Sequence, residues 1–196
     1  RSASVSASWA RSREDDVEQP FRSKPPDQSR DQGGQRVIHR SDDDLSTLSS
    51  EILTCARCKL HKERTQAVPG CGPADAEVFF LGEGPGARED ELGLPFVGRS
   101  GKYLDQLLES VGLSRERVFI TNVVKCRPPS NLDPRAAEVE ACTPYLERQL
   151  EIIHPRLVVT LGRFAMNHFF SGVRISEIHG QPRHVDGIVH LPLYHP

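Results

Sequence analysis

Four short apolar runs, at residues 78–81, 118–120, 157–161 and 188–193, limit the possible folds more than any other feature of the chain. Each lacks the polar alternation of a half-exposed strand, so each is read as a strand buried on both faces. Segments of helical pattern separate them. Residues 101–111 place Leu104, Leu107, Leu108 and Val111 on one face, and 133–154 and 163–170 follow. Strand and helix in alternation build a parallel sheet covered on both sides. The predicted fold is therefore α/β, a three-layer α/β/α arrangement around a mostly parallel four-stranded sheet. A further short helix, with Leu45, Leu48, Ile52 and Leu53 at helical spacing and Asp44 or Ser46 as its cap, leads into Cys55.

Residues 1–44 read differently. Ser, Arg, Asp, Gln and Pro dominate them, and the few large apolar residues follow neither a helical nor an alternating period, which predicts a disordered polar tail before a single domain over 45–196. The opening RSASVSASWARSR is Arg- and Ser-rich and free of acid, as a transit peptide, a linker or an arm for acidic partners would be. Acid follows at Glu14, Asp15 and Asp16, against the transit reading. Lys and Arg total 25 against 27 Asp and Glu, and beyond residue 44 the balance is 17 to 18. Any contact with nucleic acid must then rest on local placement of basic groups, not on net charge. No run is long and apolar enough to span a membrane, so a soluble chain is expected.

In a parallel sheet, ligands bind beyond the carboxyl ends of the strands. That rule selects Glu83-Gly84-Pro85-Gly86, Thr121-Asn122, Leu161-Gly162-Arg163 and Tyr194-His195-Pro196, which are expected to meet in one cleft. Gly84 and Gly86 let backbone approach a ligand closely, with Glu83, Glu89 and Asp90 at the mouth of the turn. GEGPG lacks the Lys and Ser/Thr of a phosphate loop and the spacing of a dinucleotide fingerprint, so by itself it is as well read as a tight connection. Alone, Asn122 is as well read as a local cap. Together, a carboxylate, a carboxamide and an imidazole suit a small planar group bearing both donors and acceptors.

The cysteines add a second signal. Cys55 and Cys58 form a C-x2-C pair, and Cys126 and Cys142 lie far down the chain. Four thiolates suit a metal or cluster. Spacing does not separate structural zinc from a 4Fe-4S cluster, and nothing marks the chain as secreted and disulfide-bonded. The fifth, Cys71, could serve as the third ligand, but its setting in the turn PGCGP reads better as a packed or surface thiol.

C-x2-C, GEGPG followed by Glu-Asp, LPFVGRSG, ITNVVKCRPP with a following Asn, a single Cys and a late His-Pro, in this order, resemble the family-4 uracil-DNA glycosylases, the iron-sulfur type of bacteria and archaea. The resemblance spans residue 50 to the end. It implies a hydrolase that excises uracil from a flipped-out deoxyuridine in base excision repair, acting on single- or double-stranded DNA as a monomer in the cytoplasm or on the nucleoid. It implies that Phe96 stacks on the base, that Asn122 reads its edge, and that Gly84, Pro85, Gly86 and Asn131 line the substrate site. Glu83, Glu89 and His195 are the implied catalytic residues: Glu83 for water or sugar charge, Glu89 for water or the 5-position, His195 for charge on uracil O2. It assigns Cys55, Cys58, Cys126 and Cys142 to a 4Fe-4S cluster, with zinc as the alternative. Such a cluster would orient Lys125 and Arg127 toward phosphates, and Arg163 and Arg183 are further phosphate candidates.

The family pattern continues past His-Pro through a leucine-bearing loop and a final helix, so the domain is expected to be truncated at its C-terminus. Three rival functions remain in view. One is a covalent uracil-DNA binder, against which Lys125-Cys126-Arg127-Pro128-Pro129 runs on without a basic insert. The others are a noncatalytic iron-sulfur or zinc module serving a polymerase or repair enzyme, and a small-nucleotide binder using GEGPG.

Overall fold

The computed structural model describes residues 40–196, with side chains from residue 44 onward. The polar tail expected over 1–44 lies outside the described residues as far as residue 39. Its last residues are helical: α1 runs Arg40–Leu53. Consecutive acids at 42–44 favour the first turn of a helix, so α1 starts before the apolar spacing that marks its buried face. Among the described residues no helix is long and apolar enough to cross a membrane.

The strands are β1 (Val78–Gly82), β2 (Phe119–Asn122), β3 (Leu157–Leu161), β4 (Arg183–Val185) and β5 (Ile188–Leu193). They form one sheet in the order β2-β1-β3-β5-β4, parallel except where β4 pairs antiparallel with β5. Four strands are thus where the apolar runs place them, and the sheet gains a fifth. β4 is short, and two of its three residues, Arg183 and His184, are exposed. An edge strand open to solvent needs no apolar run.

Helices α2 (Ala87–Leu92), α3 (Arg99–Ser110), α4 (Ala136–Ile153), α5 (Arg163–Phe169) and α6 (Ile175–Ile178) complete the regular elements. Side-chain alternation divides the core into two layers. On one face of the sheet Phe79, Leu81, Phe119 and Val158 pack with Leu48 and Ile52 of α1, Leu146 of α4 and Ala165 of α5. On the other, Phe80, Ile120, Val159 and Leu161 pack with Leu104 and Leu108 of α3. β1, flanked on both sides by β2 and β3, delivers its last residue, Gly82, to the carboxyl edge between them.

Candidate active site and cysteine cavity

Three of the four segments at the strand ends meet in one cavity, and the fourth, Leu161-Gly162-Arg163, stays outside its lining with Gly162 packed against the His195 side chain. The cavity, of about 350 Å³, is lined by Glu83, Gly84, Pro85, Gly86, Glu89, Phe96, Ser100, Asn122, Pro128, Asn131, Leu132 and His195. Every residue the sequence assigned to catalysis or substrate is in this lining. Gly82 and Asn122 are register partners at the ends of β1 and β2, and this sets the floor. A methyl group on Gly82 would lie 2.4 Å from Asn122 Oδ1 and 2.6 Å from the Phe96 ring, so only glycine lets both side chains close over the strand.

Asn122 is buried, yet its carboxamide makes no hydrogen bond with another described residue. Phe96 is also buried, and its ring stacks with that of His195, centroids 5.9 Å apart and planes 26° apart. His195 Nδ1 lies 2.9 Å from Pro196 O. Glu83 is half-buried, and that burial, seconded by the Asp133 carboxylate, raises its pKa against the pull of Arg163 and His195.

The two acids after the turn have less freedom than their place in the sequence suggests. Glu89 Oε1 accepts the Val97 and Gly98 N–H groups at 2.9 and 2.8 Å, and so holds the loop that carries Phe96. Asp90 is not at the mouth. It is buried and accepts the Thr65 N–H through both oxygens. Asn131, in the left-handed region at φ 54°, accepts the Arg127 Nε–H through Oδ1 at 2.8 Å.

Lys125 is a correction. The sequence pointed it at phosphate, but the side chain is fully buried. Its Nζ donates to Thr121 Oγ1, Asn122 O and Gln149 Oε1, each at 2.7 Å. Thr121 Oγ1 and Gln149 Nε2 in turn donate to Pro69 O. Burial pushes the Lys125 ammonium down to about 7, and the three oxygens around Nζ match its three donors. Arg163 pairs with Asp133, and Arg183 is exposed on the edge strand.

Cys55, Cys58, Cys126 and Cys142 line a second, narrow cavity together with Ile52, Ala141 and Tyr145. α1 delivers the C-x2-C pair, the loop after β2 delivers Cys126, and α4 delivers Cys142. All four are free thiols. N–H groups point at three of the sulfurs: Arg57 N at 3.5 Å from Cys55, Arg64 Nη1 at 2.8 Å from Cys126, and Lys125 N at 3.3 Å from Cys142. Burial pushes the Cys126 thiol up to about 11 and raises that of Cys142. Thiols so buried ionise readily only when a cation joins them. Among the described residues no three His, Cys, Asp or Glu side chains converge as a single ion requires. Cys71 lies elsewhere, bridged through its backbone to Ile120, with its thiol raised by burial.

Sequence reasoning missed Gly82, Ser100, Pro128 and Leu132 in or under the pocket. The first had a readable signal, since the residue ending a central strand faces whatever binds there.

Residues 69–196 match the family model described as the uracil DNA glycosylase superfamily. Type-4 uracil-DNA glycosylase of Sulfurisphaera tokodaii is 46% identical over 164 residues, covering 79% of this chain and 74% of its own. That of Archaeoglobus fulgidus is 47% identical, with 78% and 81% covered. That of Thermotoga maritima is 43% identical, again with 78% and 81% covered. The order of motifs, the sheet and these relatives agree, and the chain belongs to the type-4 uracil-DNA glycosylases of the uracil DNA glycosylase superfamily.

Proposed function

We propose that the chain removes uracil from DNA by hydrolysing the N-glycosidic bond of a deoxyuridine flipped into the pocket at the strand ends. The observation that carries this reading is the Asn122 carboxamide, facing the cavity beside the Phe96 ring with no hydrogen-bond partner among the described residues. Such an amide accepts from uracil N3–H and donates to O4. Cytosine presents the opposite pair there and would leave buried groups unpaired, which is the basis of discrimination. The Phe96 ring offers the flat apolar surface on which an extruded base stacks, worth about 1–3 kcal/mol.

Cleavage moves the bonding pair onto uracil and leaves positive charge on the sugar, to which a water oxygen then adds. His195 is placed to answer the first of these charges. Its ring stands over Phe96 in the pocket lining, and a ring N–H donated to uracil O2 offsets the charge on the departing anion. Glu83 answers the second, as a carboxylate that takes a proton from water or offsets charge on the sugar. Glu89 holds the Phe96 loop through Oε1, and its Oε2 is left for water or for the uracil 5-position.

Cys55, Cys58, Cys126 and Cys142 are proposed to hold a 4Fe-4S cluster. What supports this is four thiols from separate segments lining one narrow cavity, with N–H groups directed at three of the sulfurs, the hydrogen bonds that thiolate ligands accept. When bound, the cluster supplies a covalent tie between α1, the loop after β2 and α4.

The test is single-turnover release of uracil from a labelled oligonucleotide by anaerobically purified protein, beside Asn122→Ala. Release by the parent, cut about 100-fold or more in the variant, is expected. A parent that keeps its iron and releases nothing sinks the reading.

A further inference from the structure

Phe96 puts an apolar ring in the pocket wall, and its backbone is in a conformation such a residue rarely adopts, with φ 51°. A left-handed Phe persists only where its surroundings hold it. Two groups of opposite charge do so from opposite sides. Glu89 takes the N–H groups that follow the ring, on Val97 and Gly98. Arg115, far outside the lining, takes the carbonyls: Nη1 donates to Pro95 O at 3.0 Å and Nη2 donates to Phe96 O. The guanidinium is itself fixed by Nε, which donates to Asp105 Oδ1 of α3 at 2.5 Å. The Phe96 carbonyl lies directly against the bare backbone of α3, since a methyl on Gly101 would stand 1.8 Å from that oxygen.

We propose that Arg115 is a positioning residue for base recognition: its two-carbonyl clamp, working against Glu89, keeps the Phe96 ring in the pocket wall. This rests on the uracil-excision reading of that pocket. The planar fork sends separate nitrogens to the two carbonyls while Nε keeps Asp105; a lysine gathers its donors on one atom and fixes no such plane.

The experiment has two independent readouts. In the first, uracil release is measured for Arg115→Met, Phe96→Ala and the double variant over a range of enzyme concentrations, well below their thermal midpoints. Arg115→Met is expected to weaken substrate half-saturation and slow release about 10-fold in the parent background, and to change nothing further once Phe96 is Ala. Arg115→Lys is expected to fall between. Additive losses in the double variant, or an unaltered rate in Arg115→Met with only a lower thermal midpoint, overturn the proposal. In the second, amide exchange at Val97 and Gly98 is compared in parent and Arg115→Lys, with Val159 of β3 as the reference. Faster exchange at the two loop amides alone is expected, and unchanged protection overturns the clamp. If the parent releases no uracil, the reading of the pocket fails while the exchange result still judges the clamp.

Discussion

The pocket around Asn122 is open to solvent, about 350 Å³, and rimmed by polar tips, whereas the cavity around Cys142 is narrow and walled by Ile52, Ala141 and Tyr145. The pocket is assembled from strand ends of one sheet edge. The cavity is assembled where α1 and the turn after it, the loop after β2 and α4 pack in one core layer, away from the sheet edge. One region is placed by topology and left free to receive a ligand; the other is placed by the chemistry of what it encloses. Perturbing them should therefore produce different signatures, stability for the cavity and rate for the pocket.

The largest effect is expected from the cavity. Cys142→Ala removes a buried sulfur from α4, and loss of a structural metal group costs several kcal/mol, or a fall of about 10 °C or more in the thermal midpoint. Uracil release should vanish with the fold, and iron content should drop. A variant with an unchanged midpoint and intact activity would make Cys142 a packed thiol and erase the contrast.

Gly82→Ala tests the pocket from beneath. The added methyl meets Asn122 Oδ1 at 2.4 Å and the Phe96 ring at 2.6 Å, so both must move. Overpacking of this kind costs about 1–3 kcal/mol of stability, while displacement of the reading groups by a fraction of an ångström should slow release about 100-fold. A stability loss with normal release would show that neither side chain is held where the chemistry needs it.

How far these regions could be read beforehand follows the same division. Unbroken apolar runs betray buried parallel strands, and the rule that ligands sit beyond their carboxyl ends then gathers Glu83, Asn122 and His195 without further knowledge. β4 was invisible because Arg183 and His184 are on an exposed edge. Lys125 was misread because it precedes Cys126 and Arg127, in a sequence that looks like a basic phosphate contact. Only the fold reveals Thr121 and Gln149 around its Nζ. The left-handed Phe96 was equally hidden, since nothing about phenylalanine announces it, and Arg115 lies 19 residues away in sequence.

Lys125 also joins the two regions, its backbone N–H on Cys142 Sγ and its Nζ on the Asn122 carbonyl. Lys125→Met keeps the stem and deletes the ammonium, leaving three oxygens without their donor. A loss of about 1–3 kcal/mol is expected, with release slowed about 10-fold because Asn122 loses its anchor. Should rate and midpoint move independently in a Lys125→Met and Asn122→Ala cycle, the lysine serves the core alone.

The smallest effect is a matter of pH and belongs to the pocket. Burial beside Asp133 raises the folded pKa of Glu83 above its unfolded value. Between those two values the folded state binds the extra proton, so the contribution of Glu83 to stability is present below the unfolded pKa and is lost as pH rises through the folded one. Glu83→Gln cannot ionise. Its thermal midpoint should therefore exceed that of the parent slightly at pH 7, and the gap should close below pH 4, where both side chains are neutral. Release should behave oppositely: the parent gains rate as the carboxylate forms, above the ordinary range for a glutamate, and Glu83→Gln stays slow throughout. A variant less stable than the parent at pH 7 would mean that Arg163 and His195 hold Glu83 more firmly than its burial opposes them. In that case the acidic limb of the rate profile should shift below the usual carboxylate range.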